Sequence, residues 1–130
     1  MSIRSPRSVR SSAFASVVAL AVTGLTACEQ GMPYDDPVDN GRWLARKDCA
    51  SCHSVQDTSM GPSLLNLQGT EVTLDDGTTR LRDRAYFEQA ITDPWSEVRE
   101  GWGKTMLPLR YEPEELAALV AWLESGASPE

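Results

Sequence analysis

Apolar positions along this chain fall into four patterned segments separated by two long unpatterned loops. Over Val38 to Asp48, Trp43 and Lys47 share one face and Ala45 and Cys49 another at i,i+4 spacing, which predicts a helix capped by Asp39 or Asn40. Over 70–81 the period changes to two. Val72 and Leu74 alternate with polar residues, Asp76-Gly77 gives a turn signal, and Thr79 and Leu81 alternate again. A two-residue loop there pairs Leu74 with Thr79 and Val72 with Leu81, placing all four side chains on one face of a short hairpin. Helical spacing returns from Asp83, the expected cap, to Thr92, with Tyr86 or Phe87, Ala90 and Ile91 facing inward and Pro94 closing the segment. Trp95 then reads as a packing aromatic. The last helix is the clearest: Pro113 lies in its first turn, and Glu112, Glu114 and Glu115 suit its positive end. Leu116, Leu119, Val120 and Leu123 form its stripe, and Gly126 stops it. The sum is a small, mainly helical domain with one hairpin inserted between helices.

The first 27 residues do not belong to that domain. Arg4, Arg7 and Arg10 form a basic start without acidic residues, and Ala13 to Leu25 is an apolar, small-residue stretch too short for a convincing membrane span. No twin-arginine pair is present, so export as an unfolded chain is expected. The segment ends Leu25-Thr26-Ala27-Cys28, which resembles the lipobox of bacterial lipoproteins. That resemblance implies cleavage before Cys28 and a lipid on its thiol, a tether to a membrane surface rather than a span. The competing readings are an ordinary signal peptide with a stray cysteine, or an uncleaved anchor. Residues 28–37 are then a polar, Pro/Gly-containing linker in which Met32 is simply part of the spacer, and 38–128 is the folded domain. Removing the three leader arginines from twelve basic residues leaves nine against nineteen acidic ones, a net charge of −10. Such a balance speaks against nucleic acid and for a partner with a basic docking surface.

Chemistry concentrates at Cys49-Ala50-Ser51-Cys52-His53. A CxxCH run is the attachment signature of a c-type haem: two thiols reach the vinyl-derived carbons on one edge of the porphyrin, and the adjacent imidazole meets the iron. The alternatives are a thioredoxin-like redox pair, half of a zinc site, or coincidence. Four-ligand zinc is poorly served by three Cys and one His, and no βαβ context surrounds the motif.

Around this motif the chain resembles the small class I cytochromes c, and the resemblance implies an all-α cytochrome c fold built round one covalent haem, held through Cys49 and Cys52. Gly41, eight residues before Cys49, sits where that family allows the first helix to cross the last closely, with Trp122 near it. The family's aromatic four residues before the first Cys is replaced by Ala45, with Trp43 as the expected substitute. Met60-Gly61-Pro62-Ser63-Leu64 is similar to the loop beneath the haem. There the Pro62 carbonyl would take the Nδ1–H of His53 while Nε2 meets iron, and Leu64 and Leu67 would face the porphyrin. A plain Pro-bearing turn over core leucines is the alternative. Trp102, in Gly101-Trp102-Gly103, joins the expected cofactor-binding set. The stretch from Gly61 to Asp83 is similar to the cytochrome c domain fused to subunit II of some haem–copper oxidases, without the copper-binding half. Arg80, Arg82 and Arg84 either neutralise a propionate or form a solvated basic stripe, the commoner fate of surface arginines.

His53 is the only histidine, so a second histidine ligand from the same subunit is excluded. Met60 lies only seven residues past His53, on its own side, and Met32 precedes the domain. Met106 lies in the loop before the last helix, where the family places its ligand, although Leu107 separates it from Pro108. His53 and Met106 would fill both axial positions, and a thioether raises the potential by favouring ferrous iron. No motif assembles a general acid–base set. The expected function is therefore one-electron transfer rather than enzymatic catalysis. The protein would work on the periplasmic or extracytoplasmic face of a bacterial membrane, within or beside a respiratory or photosynthetic complex. Two other readings stay open at this point: a five-coordinate haem enzyme or sensor, and a structural haem subunit.

Overall fold

The computed structural model describes residues 31–126; the leader, Cys28 and the last four residues lie outside the described residues. Three helices and one hairpin follow in the order α1 (Pro37–Asp48), β1 (Glu71–Thr73), β2 (Thr79–Leu81), α2 (Arg84–Thr92) and α3 (Pro113–Glu124). The mainly helical architecture with a hairpin insertion is the one expected.

The closest packing in the fold is the crossing of α1 over α3. Gly41 lies so near α3 that a Cβ on it would stand 2.6 Å from Trp122 Cβ and 2.7 Å from the Ala118 carbonyl carbon. A hydrogen is the only side chain that fits. Leu44 and Ala45 beside it, and Leu119, Val120 and Trp122 opposite, are fully sealed from water, with Phe87 and Ile91 of α2 completing the core. Each of the larger side chains contributes about 1.5–3 kcal/mol by burial.

Helix α1 starts earlier than its apolar pattern suggests. Its cap is Asp36, whose Oδ1 accepts from the amides of Val38 (2.8 Å) and Asp39 (3.1 Å), and Pro37 occupies the first turn. Asn40, one of the two expected caps, is instead buried inside the helix. Its Oδ1 accepts from the Tyr34 amide at 2.9 Å and its Nδ2 donates to the Tyr34 carbonyl at 2.6 Å. Met32 packs against the core, so the described end of the linker lies against the domain rather than off it. Trp43 does not substitute for the missing aromatic. Two helical steps put it about 200° round from Ala45, where it is 37% exposed beneath the Lys47 ammonium.

The hairpin forms, but in a different register. Val72 pairs Arg80 and Thr73 pairs Thr79. The turn is a three-residue loop, Asp75-Asp76-Gly77, closed by Leu74 N–H to Thr78 O at 2.8 Å, with Gly77 at φ +82°. One residue of slip turns Leu81 outward, 51% exposed, while Val72 and Leu74 stay buried. Contacts outside the hairpin select this register. Residues 98–100 run along the free edge of β1, with Asp75 N–H to Val98 O and Glu100 N–H to Thr73 O both 2.9 Å. Leu74 bridges Arg99 there, Val98 is buried, and Arg80 reaches Glu97 in an ion pair. Asp83 caps α2 as expected, accepting from Tyr86 N–H at 2.9 Å. Gly126, at φ +69°, follows the end of α3.

The Gly41→Ala variant, carrying its haem, should lose about 1–3 kcal/mol or more of stability, because helix backbone must part to admit the methyl. Gly31→Ala, with nothing near the added atom, should change by under about 0.5 kcal/mol. Denaturant midpoints at unchanged slope test the pair.

Candidate functional site

Helix α1 runs directly into the CxxCH turn. Cys49 N–H bonds Ala45 O at 2.9 Å, and His53 N–H bonds Cys49 O at 2.9 Å, so one further helical turn presents Cys49, Cys52 and His53 together. Cys49 and Cys52 form no disulfide and are both half-buried. Burial, then the charge of Asp48 and then Cys52, pushes the Cys49 thiol up to about 11, so it stays neutral at physiological pH.

A tight loop then returns beneath the imidazole. The Thr58 hydroxyl donates to Cys52 O at 2.9 Å and accepts from the Gly61 amide at 3.1 Å, and Asp57 Oδ1 accepts from Ser63 N–H at 2.8 Å. This brings the Pro62 carbonyl 2.7 Å from His53 Nδ1. A carbonyl only accepts, so Nδ1 carries the proton and Nε2 keeps its lone pair. Gly61 is the floor under the ring: a Cβ there would stand 2.7 Å from His53 Cε1. Leu64 and Leu67 are half-buried and pack on the main core. Met60 is 59% exposed.

Met106 is half-buried in the segment between α2 and α3, which has almost no regular structure and is fastened elsewhere at several points. The Trp95 indole donates to the Met106 carbonyl at 2.8 Å, Leu109 N–H bonds Ile91 O at 3.1 Å, and the Tyr111 hydroxyl donates to Asp48 Oδ2 at 2.9 Å. At its other end Arg99 approaches Asp57 of the His53 loop at 3.7 Å and lies over the half-buried Trp102 ring. Trp95 is thus a hydrogen-bonding anchor, not the packing aromatic expected. Of the three alternating arginines, Arg80 pairs with Glu97, Arg82 bonds Thr70 and the Glu71 carbonyl, and Arg84 pairs with Glu124. Trp95, Tyr111 with Asp48, Thr58 and Gly61 make contacts in these loops that sequence reasoning missed. For Gly61 alone a signal existed, since it directly precedes the proline assigned to His53.

The donor set suits a covalent haem: two thiols that remain unpaired, an imidazole turned so that Nε2 is free, and half-buried leucines beside them. No cluster of three or more His, Cys, Asp or Glu able to hold a metal ion exists among the described residues. Residues 38–127 match the cytochrome c family. The chain belongs to that family, whose members are electron carriers and not enzymes. No curated protein matches the chain.

Burial first, and then the hydrogen bond to Asp48, raise the Tyr111 phenol above its ordinary range. A group whose folded pKa is raised contributes stability that is complete below the unfolded value of about 10 and is lost as pH climbs through the folded one. Tyr111→Phe should therefore be less stable at neutral pH by about 1.5–3 kcal/mol. Above pH ~10 its stability should fall with a slope about 1.4 kcal/mol per pH unit shallower than the parent's. Denaturation series from pH 7 to 12 measure both.

Proposed function

We propose that this protein is a membrane-tethered cytochrome c that passes single electrons through one haem held covalently by Cys49 and Cys52, with His53 and Met106 as its axial ligands. The His53–Pro62 hydrogen bond carries the reading, because it leaves Nε2 as the one imidazole atom able to bind iron. Haem supplies a one-electron iron couple when bound. The protein's own work is to hold still: Pro62 and Gly61 keep the imidazole plane, and the anchored 96–111 segment keeps the thioether of Met106 in place. Met60 is the weaker candidate, being exposed and on the His53 side. Leu64 and Trp102, half-buried beside the two ligand loops, are assigned to the haem wall.

Residues 1–27 are assigned as a lipoprotein signal, 28–37 as a membrane-proximal linker and 38–128 as the cytochrome domain, with lipid on Cys28 holding the protein to the extracytoplasmic face of a bacterial membrane. No helix among the described residues is long and apolar enough to cross a membrane. The −10 charge of the mature chain favours a redox protein or respiratory complex with a basic docking surface and disfavours nucleic acid. The similarity of residues 61–83 to the cytochrome domain of oxidase subunit II makes a terminal oxidase the first complex to examine.

Oxidised protein should show the near-infrared charge-transfer band of a thioether–iron bond. Met106→Ala should abolish it and lower the potential, and Met60→Ala should keep both within error; a high-spin ferric spectrum in the parent overturns the ligation. Cys28→Ser should end labelling by fatty acid and leave the leader uncleaved, read as a larger band on a gel, while labelling and cleavage that persist would overturn the lipid anchor.

A further inference from the structure

We propose that Trp95 is a positioning residue for Met106. Its indole N–H, bonded to the Met106 carbonyl, fixes the peptide that presents the thioether and so sets how easily an outside ligand displaces it. The proposal rests on the reading of Met106 as an iron ligand.

The donor is rooted in regular structure. Trp95 follows the C-terminal end of α2, where Ser96 binds back to the Asp93 carbonyl through its amide (3.2 Å) and its hydroxyl (2.8 Å), and Gln89 Nε2 holds the Ser96 hydroxyl at 2.8 Å. The acceptor has no such support. The indole bond at 2.8 Å is the only hydrogen bond that reaches Met106 or Leu107 among the described residues. Leu107 is mostly exposed and supplies no burial to hold the segment. The next fastening is Leu109 N–H to Ile91 O. That bond ends in the last turn of α2, so Met106 is spanned between that turn and the residues just beyond it. Removing the indole donor leaves Met106 between Thr105 and Leu109 with no polar restraint of its own. The bond is partly solvated, so its loss is worth about a five- to tenfold change in an exchange equilibrium rather than the loss of the fold.

The experiment titrates imidazole into the ferric, haem-loaded protein and follows the thioether band. Trp95→Phe should keep the band and a near-parental unfolding midpoint, yet bind imidazole about five- to tenfold more tightly. Trp43→Phe, whose ring meets only the Lys47 ammonium among the ring contacts described, should bind as the parent does. A Trp95→Phe protein with the band present and parental imidazole affinity overturns the positioning role and leaves Met106 ligation standing. A parent without the band overturns the ligation, and the present proposal with it. If Trp95→Phe fails to take up haem, a single benzothienylalanine at position 95, which keeps the ring shape and removes only the N–H, gives the same two outcomes.

Discussion

The contact between the Gly41 backbone and α3 at Ala118 and Trp122 is the constraint on which the rest depends. Helix α1 ends in the CxxCH turn, and α3 begins just after the Met106 segment. Where the two helices cross therefore sets where those functional segments start. The Tyr111–Asp48 hydrogen bond joins residues 63 apart in sequence at the very ends of these helices. It ties the close of the Met106 segment to the residue before Cys49. A wider crossing would strain that tie and shift the CxxCH turn relative to Tyr111. Overpacking at Gly41 is thus a fault felt at the site and not only in the core.

The hairpin has a related part. A segment as long as 96–111, lacking regular structure, carries a large entropic cost of ordering. Here its first third is drawn onto β1 as an added edge, with Leu74 bridging Arg99 and Glu97 held by Arg80. Its last third is held by Ile91 and Asp48. The middle, around Met106, is held by one side chain, Trp95, with no backbone hydrogen bond to Met106 or Leu107 among the described residues. The pairing of the three arginines follows from this. Arg80 and Arg82 secure the hairpin and Arg84 secures α2 to α3, so each already has a protein partner.

What the sequence made legible was local. Spacing within five residues marks the CxxCH turn, helical periodicity marks α3, and Asp83 announces α2 three residues before the amide it caps. The Pro62 carbonyl and the Gly41 crossing were reached through resemblance to a family rather than through physics, and the structure bears out both contacts. The hairpin register was not legible, because Asp76-Gly77 suits a two-residue loop as well as the third position of a longer one. Contacts with residues 97–100 make the choice, and no local pattern encodes them. The start of α1 is written in Asp36-Pro37, a cap followed by a first-turn proline, but the acidic and amide residues that follow offer competing caps. Trp43 failed as a substitute on simple geometry, since two residues along a helix is nearly the opposite face. The bond made by Trp95 is not legible, because a half-exposed tryptophan gives no sign in sequence of what its N–H will meet.

The shifted titrations bear on why such a site suits electrons better than proton chemistry. An acid–base catalyst needs a group brought toward neutrality. Two groups at the CxxCH turn move the other way. Burial drives the Cys49 thiol and the Tyr111 phenol up. Each is thereby held in the protonation state it already has at pH 7. The single imidazole has its Nδ1 proton committed to a backbone carbonyl at 2.7 Å. Giving up that proton would leave the Pro62 carbonyl without its donor in a half-buried loop, which opposes any role for His53 as a proton shuttle. A site that resists both proton movement and displacement of its loops changes little when its charge changes by one, and that rigidity is what single-electron exchange requires.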